Sequence, residues 1–325
     1  MKVLIVKTSS LGDIIQTLDV LDYLKERYPL VDVDWVVEKR CASILQNNPL
    51  VDRLIIYDRH GDQSAFKKEL KSTYYDHLFD LQGNCKSARI TWMARSTYKV
   101  GFAFKDAPEW PNCLVTNRRY SIGGNTSRCQ DYLQIVQQHF YDTDHFSSKH
   151  KSNTDSNQVI YLCPFSKWPS KEMNIQTTQR LMEMIHEYDQ STFKILWGNA
   201  QEQTIAHQMV DLPYVEPLDR VYEFEDLLKL FNQSRCVIAV DSLPLHIANR
   251  ATCKILALFG PSSKVKYGPE GDGRLSIQGH CPYGVTFKTR CPRLRTCVDY
   301  PCMQGWTPEE LFESYLQIMK STCKK

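Results

Sequence analysis

Three segments of this sequence place polar side chains directly after an apolar run, and the first is residues 4–15, LIVKTSSLGDII. The run ends in hydroxyl side chains, and Gly12 and Asp13 follow where a helix would begin. The first backbone N–H groups of a helix have no partner within it, and with the helix dipole they attract an anion. Asp13 could equally be an ordinary first-turn acid. A single glycine is not the three-glycine fingerprint of a dinucleotide site, so the turn does not favour NAD.

The second segment, residues 163–174, reads CPFSKWPSKEMN and follows an apolar run in the second half of the chain. It offers the hydroxyls of Ser166 and Ser170 and the cation of Lys171 just before a predicted helix. Hydroxyl, ammonium and backbone N–H donors in such a loop can hold a diphosphate. An ordinary strand–helix loop with surface lysines has the same composition, and both interpretations stay open.

The third segment, residues 239–249, reads AVDSLPLHIAN. A strand predicted over CVIAV delivers Asp241 to its carboxyl end, and Ser242 is in position to cap the helix that carries His246. A carboxylate at such a position is a strong acceptor for sugar hydroxyls. The alternative is that Asp241 serves only as a cap residue.

The elements that must position these segments alternate between strands and helices. Short runs rich in Val, Ile and aromatic residues predict strands, and stretches with helical spacing at 14–27, 41–47, 64–72 and 84–95 separate those of the first half. The alternation restarts in the second half. It predicts an α/β fold with two doubly wound parallel sheets. In such sheets, ligands bind beyond the carboxyl ends of the strands, where the three segments lie.

One stretch interrupts the alternation and divides the chain. Residues 147–158, SSKHKSNTDSNQ, are polar throughout and predict a linker. We therefore expect an N-terminal domain at 1–150 and a C-terminal domain at 151–305. A last helix within 306–325 begins at a Thr-Pro-Glu-Glu cap and could pack back on the N-terminal domain.

The overall composition excludes several classes of protein. A formal net charge of +3 over 325 residues does not indicate binding to nucleic acid, and the basic segments NRRY and FKKELK each fit a solvated face. No signal-peptide pattern precedes the first strand and no apolar run could span a membrane, so we expect a cytoplasmic protein. Its twelve cysteines are then expected to be reduced thiols.

Four of these cysteines, Cys281, Cys291, Cys297 and Cys302, lie close together in the sequence. Their spacing lacks the paired C-x2-C motifs of structural zinc sites. We therefore predict no metal site there, and the thiols are interpreted as buried or tolerated.

Taken in order, VLIVKTSSLGDIIQTL, DWVVE, YDHLFDLQGNCKSA, WPSKEMN, VDSLPLHIA and LFGPS resemble the ADP-heptose:lipopolysaccharide heptosyltransferases. The forms KTSSxGD and YDxxxDxQGxxKSA are most similar to heptosyltransferase I. Each motif is short, but their order and spacing extend over nearly the whole chain, including the tail that ends PCMQGWTPEEL.

The resemblance implies a B-type glycosyltransferase fold, in which two Rossmann-like domains face a cleft. It implies inverting, metal-independent transfer of L-glycero-D-manno-heptose from ADP-heptose to a Kdo sugar of the lipid A inner core, without a cofactor. The partners would be ADP-heptose, Kdo-lipid A and, peripherally, the cytoplasmic face of the inner membrane, with no nucleic acid.

The resemblance also assigns roles to individual residues. Asp13 would be the general base, Lys171 would hold the diphosphate and Asp241 would hold the heptose. The donor site would include Ser166, Ser170, Lys171, Asp241, Ser242 and His246. In the N-terminal domain, the residues expected to bind the acceptor are Ser10, Gly12, Arg118 and Arg119.

The sequence departs from the family pattern in three places. Asp19 stands where proline is usual, and VDSLPLH replaces the usual Thr-Gly by Ser242-Leu243. The loop reads SKEMN rather than SKxWP, which makes Lys167 a rival to Lys171 for the diphosphate. A glycosyltransferase that uses another nucleotide sugar and a non-catalytic nucleotide-sugar-binding protein remain the alternatives.

Overall fold

The computed structural model describes residues 1–144, 146, 157–210 and 212–320. The chain forms two compact units, Met1–Lys149 and His150–Lys325. Of the predicted linker, only residues 157 and 158 fall within the described ranges.

The first unit contains a six-stranded parallel sheet in the order β3-β2-β1-β4-β5-β6. The central strand β1 is buried at every residue after Lys2, because helices cover both faces of a parallel sheet and its strands must be apolar on both sides. The strands are β1 (Lys2–Val6), β2 (Asp32–Glu38), β3 (Arg53–Tyr57), β4 (Tyr74–Asp80), β5 (Arg95–Phe102) and β6 (Arg118–Tyr120).

The helices of this unit are α1 (Leu11–Arg27), α2 (Gln63–Lys71), α3 (Cys85–Met93) and α4 (Arg128–His139). Three of them confirm predicted helices, whereas α4 was not predicted. The helix predicted over 41–47 is wrong in type, since Lys39–Ile44 forms a 3₁₀ helix. Pro49 restricts Asn48 and so keeps the helical segment short, and 3₁₀ geometry is common in short helical segments. A second 3₁₀ helix covers Trp110–Leu114.

The second unit repeats this plan with a parallel sheet in the order β12-β11-β10-β7-β8-β9. Its strands are β7 (Val159–Cys163), β8 (Thr192–Ile195), β9 (Val215–Pro217), β10 (Cys236–Val240), β11 (Lys254–Phe259) and β12 (Arg274–Gln278). Its helices are α5 (Ile175–Asp189), α6 (Ala200–Gln208), α7 (Phe224–Gln233), α8 (Leu243–Ala248), α9 (Lys264–Tyr267), α10 (Pro301–Gln304) and α11 (Pro308–Lys320), and Pro169–Lys171 is a 3₁₀ helix.

In each sheet the first strand of the unit lies beside the fourth, β1 beside β4 and β7 beside β10. This is the strand order of a Rossmann fold, and it confirms the predicted fold class. The order reverses between these two strands, which opens a crevice at their carboxyl ends. Each unit therefore has one position at which its topology favours ligand binding.

The last helix, α11, packs within the second unit. Leu311, Tyr315 and Ile318 are buried in the core of that unit. The Tyr315 hydroxyl donates to Asp189 Oδ2 at 2.6 Å, and Lys254 Nζ donates to the Ile318 carbonyl at 3.0 Å. The apolar face of α11 is thus used by the second unit, which corrects the expectation that the helix packs back on the N-terminal domain. Within the described ranges, no helix has both the length and the apolar character needed to cross a membrane.

Two histidines, half-buried His77 on β4 and buried His139 on α4, link these two elements. His77 Nδ1 and His139 Nε2 are 2.8 Å apart, and His139 Nδ1 lies 3.3 Å from the Tyr120 hydroxyl. Burial, the neighbouring His77 and Arg118 together lower the pKa of His139 to about 4. Burial also lowers the pKa of His77. Both imidazoles are therefore neutral near pH 7.

We expect this pair to make the first unit sensitive to acid. The folded-state pKa of His139 lies below the ordinary value of about 6.5, so the unfolded chain binds the proton more tightly. The contribution of His139 to the free energy of unfolding is fully present above about pH 6.5. It is lost as the pH falls toward 4, by on the order of 2–3 kcal/mol. Urea unfolding at pH 7.5, 6.0 and 4.5 should show a smaller acid loss in His139→Gln than in the wild type. Equal losses in both proteins would contradict the assignment.

Candidate active site

The crevice of the first unit contains Asp13, in the first turn of α1. Asp13 Oδ2 accepts hydrogen bonds from the Ser10 backbone N–H at 3.1 Å and from the Ser10 hydroxyl at 2.5 Å. Ser10 is the N-cap residue, so the two form a capping box. The structure thus gives Asp13 a helix-capping role, and its half-exposed position at a strand's carboxyl end is equally that of a group that meets a substrate.

Gln82, which follows the neighbouring strand β4, holds the loop before Asp13 in place. Its side-chain oxygen accepts from the backbone N–H groups of Thr8 and Ser9, both at 3.1 Å. Asp80, at the end of β4, in turn accepts from the backbone N–H groups of Gln82 and Gly83 at 3.1 and 2.9 Å. Burial raises the pKa of Asp80, and its hydrogen bonds offset this only in part. This network fixes the turn, and the sequence analysis did not identify either residue.

A buried cation lies close to Asp13. Lys7 Nζ donates to the Tyr132 hydroxyl at 2.7 Å and to the Leu81 carbonyl at 2.9 Å. Burial lowers the pKa of Lys7 to about 8, although the negative charge of Asp13 acts in the opposite direction. Tyr132 lies on α4, and burial raises its pKa well above the ordinary value. The sequence analysis assigned no role to Lys7, although it lies in the first quoted segment, and it missed Tyr132 because α4 was not predicted.

The two arginines assigned to the acceptor lie on the edge strand β6 and are exposed. Arg118 Nη1 donates to the Asn117 carbonyl at 3.1 Å, and its guanidinium lies 5.4 Å from the ring centroid of Tyr98. Arg119 Nη1 donates to the carbonyls of Cys113 and Thr116 at 2.8 and 2.6 Å. These contacts are to neutral oxygens, which leave the positive charges available to an anionic ligand.

The crevice of the second unit brings together three residues that the sequence analysis assigned to the donor. Lys171 Nζ lies 2.5 Å from Asp241 Oδ2, and His246 Nε2 lies 3.7 Å from Asp241 Oδ1. The side chains of Lys171 and Asp241 are only 9% and 8% exposed. They meet because β7 and β10, which precede them, are neighbours in the sheet.

Charge keeps Asp241 ionised in this buried position. Burial alone would raise the pKa of its carboxyl, but Lys171 and His246 outweigh that effect and hold the pKa below the ordinary value. The crevice therefore presents a carboxylate acceptor and an ammonium donor side by side, a combination that suits a ligand with both hydroxyl and phosphate groups.

Serine hydroxyls around this pair extend the polar surface. Ser170 Oγ and Ser242 Oγ are buried and make no hydrogen bond to another described residue. The expectation that the Ser242 side chain caps α8 is wrong, since it makes no cap hydrogen bond. Pro244 at the second helical position explains this, because it lacks the N–H that a cap residue usually binds. Ser166 Oγ instead accepts weakly from the Trp168 N–H at 3.4 Å.

A model of the family described as glycosyltransferase family 9 (heptosyltransferase) matches residues 63–295. This chain belongs to glycosyltransferase family 9. The match includes the Lys171–Asp241 pair and the two arginines, and it begins after Asp13. The chain is accordingly a glycosyltransferase.

Relatives extend the similarity beyond the matched range. The lipopolysaccharide heptosyltransferase 1 of Pseudomonas aeruginosa is 28% identical over 313 residues, which cover 90% of this chain and 87% of the relative. The Escherichia coli K12 protein of the same description is 23% identical over 299 residues, which cover 85% of this chain and 92% of that relative. These similarities confirm the resemblance to heptosyltransferase I that the motifs indicated.

Solved structures confirm the fold. The E. coli heptosyltransferase WaaC with ADP has a TM-score of 0.79 at 21% identity, covering 98% of this chain and all of that chain (100%). A glycosyltransferase family 9 structure from Veillonella parvula has a TM-score of 0.74 at 16% identity, and the match covers 98% of this chain and 97% of that chain. The predicted B-type glycosyltransferase fold is thereby confirmed for this family 9 member.

One further feature of this family 9 enzyme lies next to Ser170 in the second unit. Cys281, Cys291, Cys297 and Cys302 line one apolar cavity of about 20 Å³ together with Ser170. Burial, reinforced by the other three thiols, raises the pKa of Cys302 to about 11. In the part of the chain that the structure describes, no three His, Cys, Asp or Glu side chains are arranged to hold a metal ion. The Cys302 thiol is therefore protonated near pH 7, and the four cysteines pack one wall of this cavity in the second unit.

Proposed function

We propose that the enzyme transfers L-glycero-D-manno-heptose from ADP-heptose to a Kdo sugar of the lipid A inner core, with inversion and without a metal. The observation that carries this proposal is the buried Lys171–Asp241 pair at the topological switch point of the second sheet. The proposed place of the reaction is the cytoplasmic face of the inner membrane.

The relatives support the donor and the pathway. Several are described as lipopolysaccharide heptosyltransferase 1, and one solved relative is WaaC with ADP-2-deoxy-2-fluoro heptose. In our proposal, the C-terminal domain binds the nucleotide sugar and the N-terminal domain binds the acceptor.

The donor half of the chemistry follows from the charges at the second crevice. When the bond between the anomeric carbon and the β-phosphate oxygen breaks, ADP gains negative charge. Lys171 is positioned to stabilise that charge in a place with little water, where an electrostatic contact is strongest. Asp241 accepts hydrogen bonds from heptose hydroxyls, and the hydroxyls of Ser166, Ser170 and Ser242 are further polar partners in this proposal.

The acceptor half requires a base. A Kdo hydroxyl is a weak nucleophile, so a carboxylate within hydrogen-bond reach must take its proton as the hydroxyl oxygen attacks the anomeric carbon. We assign this role to Asp13. Ser10 and Gly12 shape the turn that presents it, and Gln82 holds the backbone of that turn.

Arg118 and Arg119 are proposed to bind the acceptor rather than the donor. Lipid A and Kdo carry phosphates and carboxylates, which guanidinium groups match with two hydrogen bonds each. We expect Arg118→Ala/Arg119→Ala to raise the KM for Kdo-lipid A by about tenfold while the KM for ADP-heptose is unchanged. The difference from wild type should shrink at high salt, because the charges are exposed. A similar rise in both KM values would contradict this assignment.

The direct test is transfer of labelled heptose from ADP-heptose to Kdo-lipid A, with and without a chelator. We expect product of inverted anomeric configuration and turnover that the chelator leaves unchanged. A panel of UDP-, GDP- and ADP-sugars in the same assay decides the donor. Preference for another nucleotide sugar would replace the proposal by a different B-type transferase, and binding without transfer would replace it by a binding protein.

A further inference from the structure

The loop that follows β5 exposes large apolar side chains on the first unit. Phe104 is 56% exposed, Trp110 62% and Leu114 69%. A single exposed apolar residue needs no explanation, but three within eleven residues of chain form a candidate interaction surface. We call these three side chains, with Lys105 and Arg119, the aromatic rim.

Contacts of Arg119 connect the two ends of the segment that carries the rim. The Arg119 guanidinium lies 5.3 Å from the ring centroid of Phe104. Arg119 also donates to the carbonyl of Cys113, which adjoins Leu114 in the 3₁₀ helix that begins at Trp110. The apolar and cationic groups are therefore interleaved rather than scattered over the unit.

The rim is fixed at the carboxyl edge of the sheet, the edge that carries Asp13. The Glu109 N–H donates to the Gly83 carbonyl at 3.0 Å, and Glu109 Oε2 accepts from the Cys85 N–H at 2.8 Å. Gly83 has a φ of 71°, and a Cβ there would lie 2.7 Å from Pro108 Cδ, so only glycine permits this close approach. The loop that carries the rim is thus attached to the loop after β4, which also holds the Asp13 turn through Gln82.

The charges of the rim favour an anionic partner. Lys105, Arg118 and Arg119 are exposed cations in or next to the segment. Two carboxylates lie nearby, Asp106 and Glu109, and each accepts a hydrogen bond from a backbone N–H while keeping its charge. The three cations therefore leave a small excess of positive charge on this surface. Aromatic and leucine side chains mixed with arginine and lysine are typical of surfaces that insert into the headgroup region of a bilayer.

We propose that the aromatic rim docks the enzyme on an anionic lipid bilayer, with Trp110, Phe104 and Leu114 inserted among the headgroups. The inference rests on the proposed function in one respect, that the acceptor is anchored in a lipid surface. With the rim inserted, the edge that carries Asp13 faces the sugars that project from that surface.

The test measures cosedimentation of the full chain with vesicles that contain neither acceptor nor nucleotide sugar. We expect binding to phosphatidylglycerol–phosphatidylcholine vesicles, weaker binding to phosphatidylcholine alone, and a decline of the anionic component as salt is raised. Trp110→Ser/Leu114→Ser should weaken binding at least about tenfold, since two apolar side chains no longer enter the bilayer. Because both side chains are exposed, the melting temperature should stay unchanged.

A matched control is Leu30→Ser. Leu30 is 92% exposed in the turn between α1 and β2, at the amino edge of the same sheet, and its loss should leave vesicle binding unchanged. Absence of binding by the wild type, or equal binding by the double variant, would overturn the proposal. Vesicle binding without heptose transfer would keep the docking surface and refute only the proposed function.

Discussion

Asp13→Asn should slow heptose transfer by about 10²–10⁴-fold while the protein remains folded and binds ADP-heptose normally. The amide can still accept hydrogen bonds from the N–H and hydroxyl of Ser10, so the capping box loses little. It cannot take a proton from the attacking hydroxyl, so the loss falls on turnover. Single-turnover kinetics at saturating donor and acceptor, with melting temperature and donor affinity measured in parallel, separate the two effects.

Asp62→Asn is the matched control for this change. Asp62 caps α2 by accepting from the N–H groups of Ser64 and Ala65, so it shares the capping role of Asp13 without a place in the crevice. Its replacement should leave turnover unchanged. Near-normal turnover in the folded Asp13→Asn variant would make Asp13 a structural residue and exclude it as the base.

Lys171→Ala should destabilise the C-terminal domain by roughly 3 kcal/mol and weaken ADP-heptose binding by about tenfold or more. The stability loss follows because the change leaves the buried carboxylate of Asp241 without its cation. The binding loss follows because the diphosphate loses a charged donor. Urea unfolding and calorimetric titration with ADP-heptose measure the two quantities independently.

Two further variants separate these effects. Lys167 is exposed in the same loop, so Lys167→Ala should change stability by less than about 0.5 kcal/mol and leave donor binding intact. Lys171→Met/Asp241→Asn removes both buried charges and should recover much of the stability without recovering donor binding. If Lys167→Ala is the more damaging change for ADP-heptose, then Lys167 holds the diphosphate and the assignment to Lys171 is wrong.

The parts of the fold that local patterns determine could be predicted from the sequence. Buried parallel strands need apolar residues on both faces, so β1 and β10 can be recognised in the sequence. The sequence analysis therefore placed Asp13 and Asp241, which follow these strands, correctly at the carboxyl edges of the sheets. The edge strand β6 has three residues, two of them arginines, and carries no such pattern. Helix α4 did carry a signal, a serine cap at Ser127 before a run with buried positions, which the sequence analysis overlooked.

Contacts between distant segments could not be predicted in the same way. The Lys171–Asp241 pair joins residues 70 positions apart, and Gln82 reaches back 74 positions to Thr8. Both depend on which strands are neighbours, and strand order is a property of the whole sheet rather than of any segment. The cap expected from Ser242 failed for a local reason, because Pro244 removes a donor that the side chain would have bound.

Because α11 completes the hydrophobic core of the C-terminal domain, each domain is one unbroken length of polypeptide and the chain passes from one to the other only once. A single recombination event near residue 150 can therefore exchange the whole first unit, which we propose binds the acceptor, while it leaves the second unit with its own closing helix intact. A terminal helix that returned to the first domain would have tied the two halves together and blocked such an exchange. If the proposed division of substrates between the units holds, the architecture permits a transferase to acquire a new acceptor while it keeps its sugar donor.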